Sequence, residues 1–205
     1  MRSLFDFVVT PKGSRNSSKK NLDGKELILN TDLQDHKYVN RVGTIIGAPL
    51  GDCGGVSAGD DVIVHHNVFR RFYDVRGVEK NSRSFFDEDT YLCKQDQVFA
   101  YKRDNEWKAL KGYCFVKPIE SNNIWSLDKE KQNIGVIKIL GDDLVSLDLQ
   151  QGDIVGFTPR SEYEFVIDGE RLYRVLSAAI TINYGHERNE KEYNPSWSQS
   201  SGRAH

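Results

Sequence analysis

Val42-Gly43-Thr44-Ile45-Ile46-Gly47, followed by Ala58-Gly59-Asp60-Asp61-Val62-Ile63-Val64, is the stretch that decides how this chain folds. Both runs are short, rich in β-branched residues and bounded by glycine and aspartate, the pattern of buried strands. Gly43 permits a bend or a close backbone approach inside a curved strand. Gly59-Asp60 supplies a tight turn into the next strand. The same landmarks return as Ile134-Gly135-Val136-Ile137-Lys138-Ile139 and Gln151-Gly152-Asp153-Ile154-Val155. Gly43 to Gly59 spans 16 residues, and Gly135 to Gly152 spans 17. Val9-Thr10-Pro11 precedes the first set and Val116-Lys117-Pro118 the second. Gln97-Val98-Phe99-Ala100 and Ala179-Ile180-Thr181-Ile182 close them. One order of landmarks, repeated at matched spacing, predicts a tandem duplication. The copies differ near their starts: Pro11 to Gly43 is 32 residues, whereas Pro118 to Gly135 is 17. The first copy also carries an insert over residues 75–86.

The rest of the chain reads the same way. Leu4 to Val9, Val98 to Tyr101, Tyr113 to Val116, Tyr163 to Ile167 and Arg171 to Val175 are strand-like runs. Asp168-Gly169 is a hairpin turn, because both positions tolerate positive φ. Only residues 105–111 and 127–132 read as briefly helical. Many short strands with regular turns predict an all-β barrel or sandwich. Of 205 residues, 38% are hydrophobic and 28% charged, with a formal charge of -2. That balance argues against general nucleic-acid binding, which draws on excess Lys and Arg. No apolar run approaches the roughly 20 residues that span a bilayer, and the N-terminus lacks the long apolar core of a secretory signal. The chain reads as cytoplasmic. Cys53, Cys93 and Cys114 are too few and too widely spaced for a disulfide framework.

A strand ending in Val-x-Pro, a long polar loop, a Gly-x-Ile strand, a Gly-Asp strand and a closing strand together resemble the GroES-type co-chaperonins. The resemblance covers residues 4–101 and again 113–184. The tandem arrangement looks like the double-domain form of that family, with divergent phage versions conceivable. It implies two GroES-like small β-barrels: a first copy over residues 1–104 with a mobile loop at 12–40, and a second over 112–184. A polar tail over 185–205 is expected to be disordered or loosely attached. The resemblance further implies a lid subunit that assembles into a homo-oligomeric ring, docks on a GroEL-type chaperonin ring and assists the folding of unfolded clients. In such proteins an aliphatic triplet in the loop makes the contact. Leu27-Ile28-Leu29, after Asp23-Gly24-Lys25-Glu26, stands in that place. Burying three such side chains on a partner contributes roughly 1.5–3 kcal/mol each, less the ordering cost. The same triplet also reads as an ordinary strand packed in its own domain. Ile124-Trp125, in the shorter second loop, is a poorer counterpart, so the first copy is expected to carry the partner contact.

Other constellations favour simpler readings. His65 and His66 are adjacent in a strand, so they point to opposite faces and suit one zinc poorly. Asp60-Asp61, Asp87-Glu88-Asp89 and Asp142-Asp143 lack calcium-loop spacing and fit turns or solvated edges. Cys53 has no basic partner that the sequence names, and reads as structural. Phe69-Arg70-Arg71-Phe72-Tyr73 mixes basic and aromatic residues as single-strand nucleic-acid platforms do, and equally fits a strand with alternating faces. No catalytic set, cofactor loop or metal set emerges, so the chain is read as non-enzymatic. The alternatives are an accessory or structural binding protein reusing the same barrel, or a weak single-stranded nucleic-acid binder.

Overall fold

The structure, a computed structural model, describes residues 3–15, 19–22, 25–28, 39–121, 129–186 and 190–201, with 19–22, 25–28 and 199–201 described by their backbone alone. The chain is all-β and divides into two compact units, Met1–Glu106 and Trp107–His205.

The first unit contains β1 (Phe7–Pro11), β2 (Lys19–Leu22), β3 (Lys25–Ile28), β4 (Val42–Gly47), β5 (Asp61–Val64), β6 (Arg71–Tyr73), β7 (Glu79–Asn81), β8 (Phe85–Asp87), β9 (Thr90–Cys93) and β10 (Val98–Arg103). Its main sheet runs β10–β5–β4–β1–β9–β8, while β2–β3 and β6–β7 form separate two-stranded ribbons. β11 (Glu106–Ala109) follows Asp104 and Asn105, at φ 50° and 67°. Two successive residues at positive φ cannot begin a right-handed helix, so the helical reading of 105–111 gives way to a strand. The second unit contains β12 (Tyr113–Glu120), β13 (Glu130–Ile139), α1 (Asp142–Val145), β14 (Ile154–Phe157), β15 (Tyr163–Ile167), β16 (Glu170–Leu176), β17 (Ile180–Gly185) and α2 (Ser196–Ser201). Its sheet runs β15–β16–β12–β13–β14–β17. Residues 130–132 belong to β13, again in place of a predicted helix; 127–128 lie outside the described residues. The ladders are open and do not close into barrels, which corrects that expectation. β8 is only three residues long, and no pairing joins the outer strands β15 and β17.

The two sheets share their register. Val9 pairs with Ile45, Thr10 with Thr44 and Pro11 with Gly43, after a bulge at Val8/Val9. Val116 pairs with Ile137, Lys117 with Val136 and Pro118 with Gly135, after a bulge at Phe115/Val116. On the other side Val9 faces Tyr91, and Val116 faces Tyr173. Gly43 pairs with Val62 as Gly135 pairs with Val155. Both glycines are dictated by space: a Cβ would lie 2.8 Å from the Thr10 carbonyl oxygen at Gly43, and 2.8 Å from that of Lys117 at Gly135. Phe7, Val9, Ile45, Val62, Ile63 and Tyr91 fill the first core. Cys114, Val116, Ile137, Leu144, Val155 and Val175 fill the second.

Candidate functional site

Each Gly-Asp turn is held by one pattern of bonds. Gly59 and Gly152 both have φ +96°, a conformation glycine reaches without strain. Asp60 and Asp153 are buried. Their carboxylates accept the backbone N–H of Ser57 and of Gln150, each at 2.8 Å. A buried carboxylate needs a cation or further donors. Arg103 supplies them to Asp60 through Nε at 3.1 Å and Nη2 at 2.6 Å. His186 Nδ1 lies 3.1 Å from Asp153. Asp60 is therefore a buried structural anchor, not a solvated edge.

The loop after β1 leaves and returns through a closed neck. Lys12 N–H donates to the Val42 carbonyl at 3.0 Å, and Asn40 N–H to that of Arg15 at 3.0 Å. The Asn40 amide nitrogen donates to the carbonyls of Lys12 (2.8 Å) and Ser14 (3.1 Å), while its oxygen accepts Val42 N–H at 2.9 Å. One side chain thus ties both strands of the neck. Arg15 donates to the Tyr91 hydroxyl at 2.5 Å and to Asn81 at 3.1 Å. Burial pushes the Tyr91 phenol up, against the pull of Arg15. Beyond the neck, β2 pairs with β3 so that Lys20 stands opposite Leu27 and Lys19 opposite Ile28 in the backbone register. The side chains of Leu27 and Ile28, and all of Leu29, lie outside the described residues.

The second unit closes its shorter loop similarly, with Glu120 paired to Glu130 and Ser121 N–H donating to the Lys129 carbonyl at 2.9 Å. Ile124 and Trp125 lie outside the described residues. The tail is read from its composition as disordered or loosely attached, yet Glu190 to Tyr193 lies against this neck and Asn194 bonds to Gly169 and Arg171 at the β15–β16 turn. Glu120 N–H donates to the Lys191 carbonyl at 2.7 Å, and Tyr193 N–H to that of Pro118 at 2.8 Å. Glu192 lies 3.3 Å from the buried Lys117 and 2.6 Å from Lys138. Lys117 also meets Glu170 at 3.0 Å. Polar composition misleads here because the strap is held by charge and backbone bonds, which composition does not register. Above β16, Arg171 binds Glu130 at 2.5 Å and Glu164 at 2.7 Å, and donates to the Tyr173 hydroxyl. Burial alone would lower the Arg171 guanidinium, but the two carboxylates hold it well above its ordinary value.

The remaining sequence candidates are dispersed. The His65 ring accepts the Asn67 N–H at 3.1 Å and lies 4.3 Å from His66. Among the described residues, no three His, Cys, Asp or Glu side chains gather as a metal-binding group. Cys93 and Cys114 are buried, and burial pushes the Cys114 thiol up to about 12. Cys53 is half-buried in its glycine turn. Asp142 pairs with Lys108 at 2.8 Å, and Asp143 accepts Gly112 N–H at 3.0 Å. Phe69 is buried against Tyr91, which removes it from any nucleic-acid platform, while Tyr73 is exposed on β6. Among the described residues, no helix is long and apolar enough to cross a membrane. Sequence reading missed the Asn40 clamp, the Arg15–Tyr91 bond and the Arg171 cluster; the matched tyrosines at 91 and 173 were the available signal. No protein-family model matches this chain, and a comparison with curated proteins finds no match.

Proposed function

We propose that this chain is a non-enzymatic lid subunit of the co-chaperonin type, made of two tandem GroES-like domains. Residues 12–40 act as its docking arm for a GroEL-type chaperonin ring, with Leu27, Ile28 and Leu29 as the contact and Ile124 and Trp125 in a secondary role. Copies assemble into a ring, and the assembly caps a chamber in which unfolded clients fold. The carrying observation is the neck. Asn40 ties the Lys12 and Ser14 carbonyls to Val42, so a long excursion starts and ends at one fixed point of the sheet. A clamped base confines the ordering cost of docking to the arm itself. A ring of such arms turns weak single contacts into firm binding through avidity. The shared register of the two sheets supports the tandem-domain reading.

The test is a pull-down with a GroEL-type chaperonin, with a native mass measurement and an assay of the chaperonin's ATPase. The expected result is a ring-sized oligomer that binds in the presence of nucleotide and alters ATP turnover. Replacing Leu27, Ile28 and Leu29 by Ser should abolish capture while the circular dichroism stays unchanged. A strict monomer that leaves the ATPase untouched would favour the accessory-protein alternative.

A further inference from the structure

The first unit carries an insert that its sister does without. From β5 to β8 the chain runs through 20 residues, 65–84, whereas from β14 to β15 it needs only five, 158–162. Part of the excess is the β6–β7 ribbon, and its end is tightly built. Asp74 N–H donates to the Val78 carbonyl and Gly77 N–H to that of Asp74, both at 2.9 Å. The Asp74 carboxylate accepts the N–H of Arg76 at 2.9 Å and of Val78 at 3.0 Å. Gly77 supplies the positive φ, 75°, that the turn requires. Yet the apolar side chains of this tip face outward. Val75 is fully exposed, and Tyr73 and Val78 are exposed as well. Arg76 and Lys80 are exposed beside them. Residues 70–83 hold five cations against two carboxylates, in a chain of formal charge -2. A rigid turn that presents valines among cations adds nothing to its own core. It suits a partner that offers an apolar patch among carboxylates.

The second unit displays such a patch. Leu144 and Leu149 are buried in its core and pin the segment between them. Leu147 N–H donates to the Leu144 carbonyl at 3.0 Å, and Asp148 N–H to that of Val145 at 3.1 Å. Val145 and Leu147 are left 53% and 67% exposed, with Asp142 and Asp148 exposed at either end of the turn. Residues 142–148 contain three carboxylates and no cation. Of these, Asp142 also meets Lys108, and Asp143 is engaged by Gly112 N–H.

We propose that the β6–β7 tip of one copy of this chain docks on the α1 turn of a second copy. Val75 and Val78 lie against Val145 and Leu147, and Arg76 and Lys80 face Asp142 and Asp148. Each copy carries one tip and one turn, so the contact runs head to tail, the type that closes into rings. One tip on one turn falls short of the about 1,200 Å² of a stable interface, so single contacts are weak and ring closure strengthens them through avidity. This self-association goes beyond the lid reading and stands whether or not the arm at 12–40 docks on a chaperonin.

Sedimentation velocity of the full chain across the micromolar range is the test. Wild type should associate reversibly, and about 1 M salt, which shortens the screening length to about 3 Å, should weaken that association severalfold. Val75→Asp spoils the tip and Leu147→Asp spoils the turn. Each should raise the concentration for half-association about tenfold or more. Mixed in equal amounts, the two variants should form a heterodimer and nothing larger, because one intact tip meets one intact turn. Both changes are at exposed side chains, and Val78→Asp or Val145→Asp replaces either variant that fails to fold. Variants that assemble like wild type, or a mixture that stays monomeric, would overturn the proposal. Loss of chaperonin capture with assembly intact would sink the lid reading alone. A wild-type chain that stays monomeric yet is retained on single-stranded DNA would overturn the proposal and give the tip to nucleic acid instead.

Discussion

Gly43 and Gly135 are the residues on which both sheets close up. At Gly43 a Cβ would also lie 2.6 Å from Val9 Cγ1 and 2.9 Å from Phe69 Cζ, whereas at Gly135 the next contact is Val116 Cβ at 3.2 Å. Gly43→Ala should therefore cost about 2–3 kcal/mol and Gly135→Ala about 1–2 kcal/mol, as overpacking does. Gly51→Ala meets nothing within 4 Å and should be nearly neutral. Urea unfolding of the three variants reads this order directly. Asn40→Ala removes three hydrogen bonds at the neck and should cost about 1–3 kcal/mol while speeding tryptic cleavage at Lys19, Lys20 and Lys25. Equal proteolysis of wild type and variant would refute the clamp. The two glycines were legible because a conserved-looking spacing exposes them twice in one chain. Asn40 was not, because its carbonyl partners lie 28 and 26 residues away.

At the scale of elements, the segment from Glu190 to Tyr193 behaves as a strap held on β12 by backbone hydrogen bonds and by the charge of Glu192. Partial burial would raise the Glu192 carboxyl, but Lys138 and Lys117 hold it below its ordinary value of 4.5. A depressed carboxylate stabilises the fold above its unfolded value, and that contribution is lost as pH falls through the folded value. Glu192→Gln should thus cost about 1 kcal/mol at neutral pH, leaving Lys117 with Glu170 alone. The gap between wild type and variant should close as pH falls below about 4.5. Thermal unfolding from pH 7 to pH 3 checks this, and a pH-independent gap would show that packing, not charge, holds the strap. Strand runs were readable from β-branched periodicity. The two short helical readings failed because Asp104-Asn105, both at positive φ, is a hairpin-turn pair and not a helix start, and because composition does not register the pairing of β13 with β12.

For the molecule as a whole, two units with separate cores should unfold as separable cooperative blocks. Residues 107–205 expressed alone should fold, showing dispersed NMR signals and a thermal transition that matches one of those in the full chain. A collapsed or unfolded fragment would mean that the second unit draws its stability from the first. The duplication is visible in outline from Gly-Asp and Val-x-Pro landmarks. Its depth appears only in three dimensions, where Tyr91 and Tyr173, or Arg103 and His186, prove to hold equivalent stations.

Local chemistry alone determined the strands, the turn glycines and the doubled order of landmarks, because steric preference and hydrophobic alternation act over neighbouring residues. Only the tertiary structure decided that the sheets stay open and that Asp60 is buried and paired with the more exposed Arg103. Those outcomes depend on which distant side chains arrive at the same place, and distance along the chain carries no record of that.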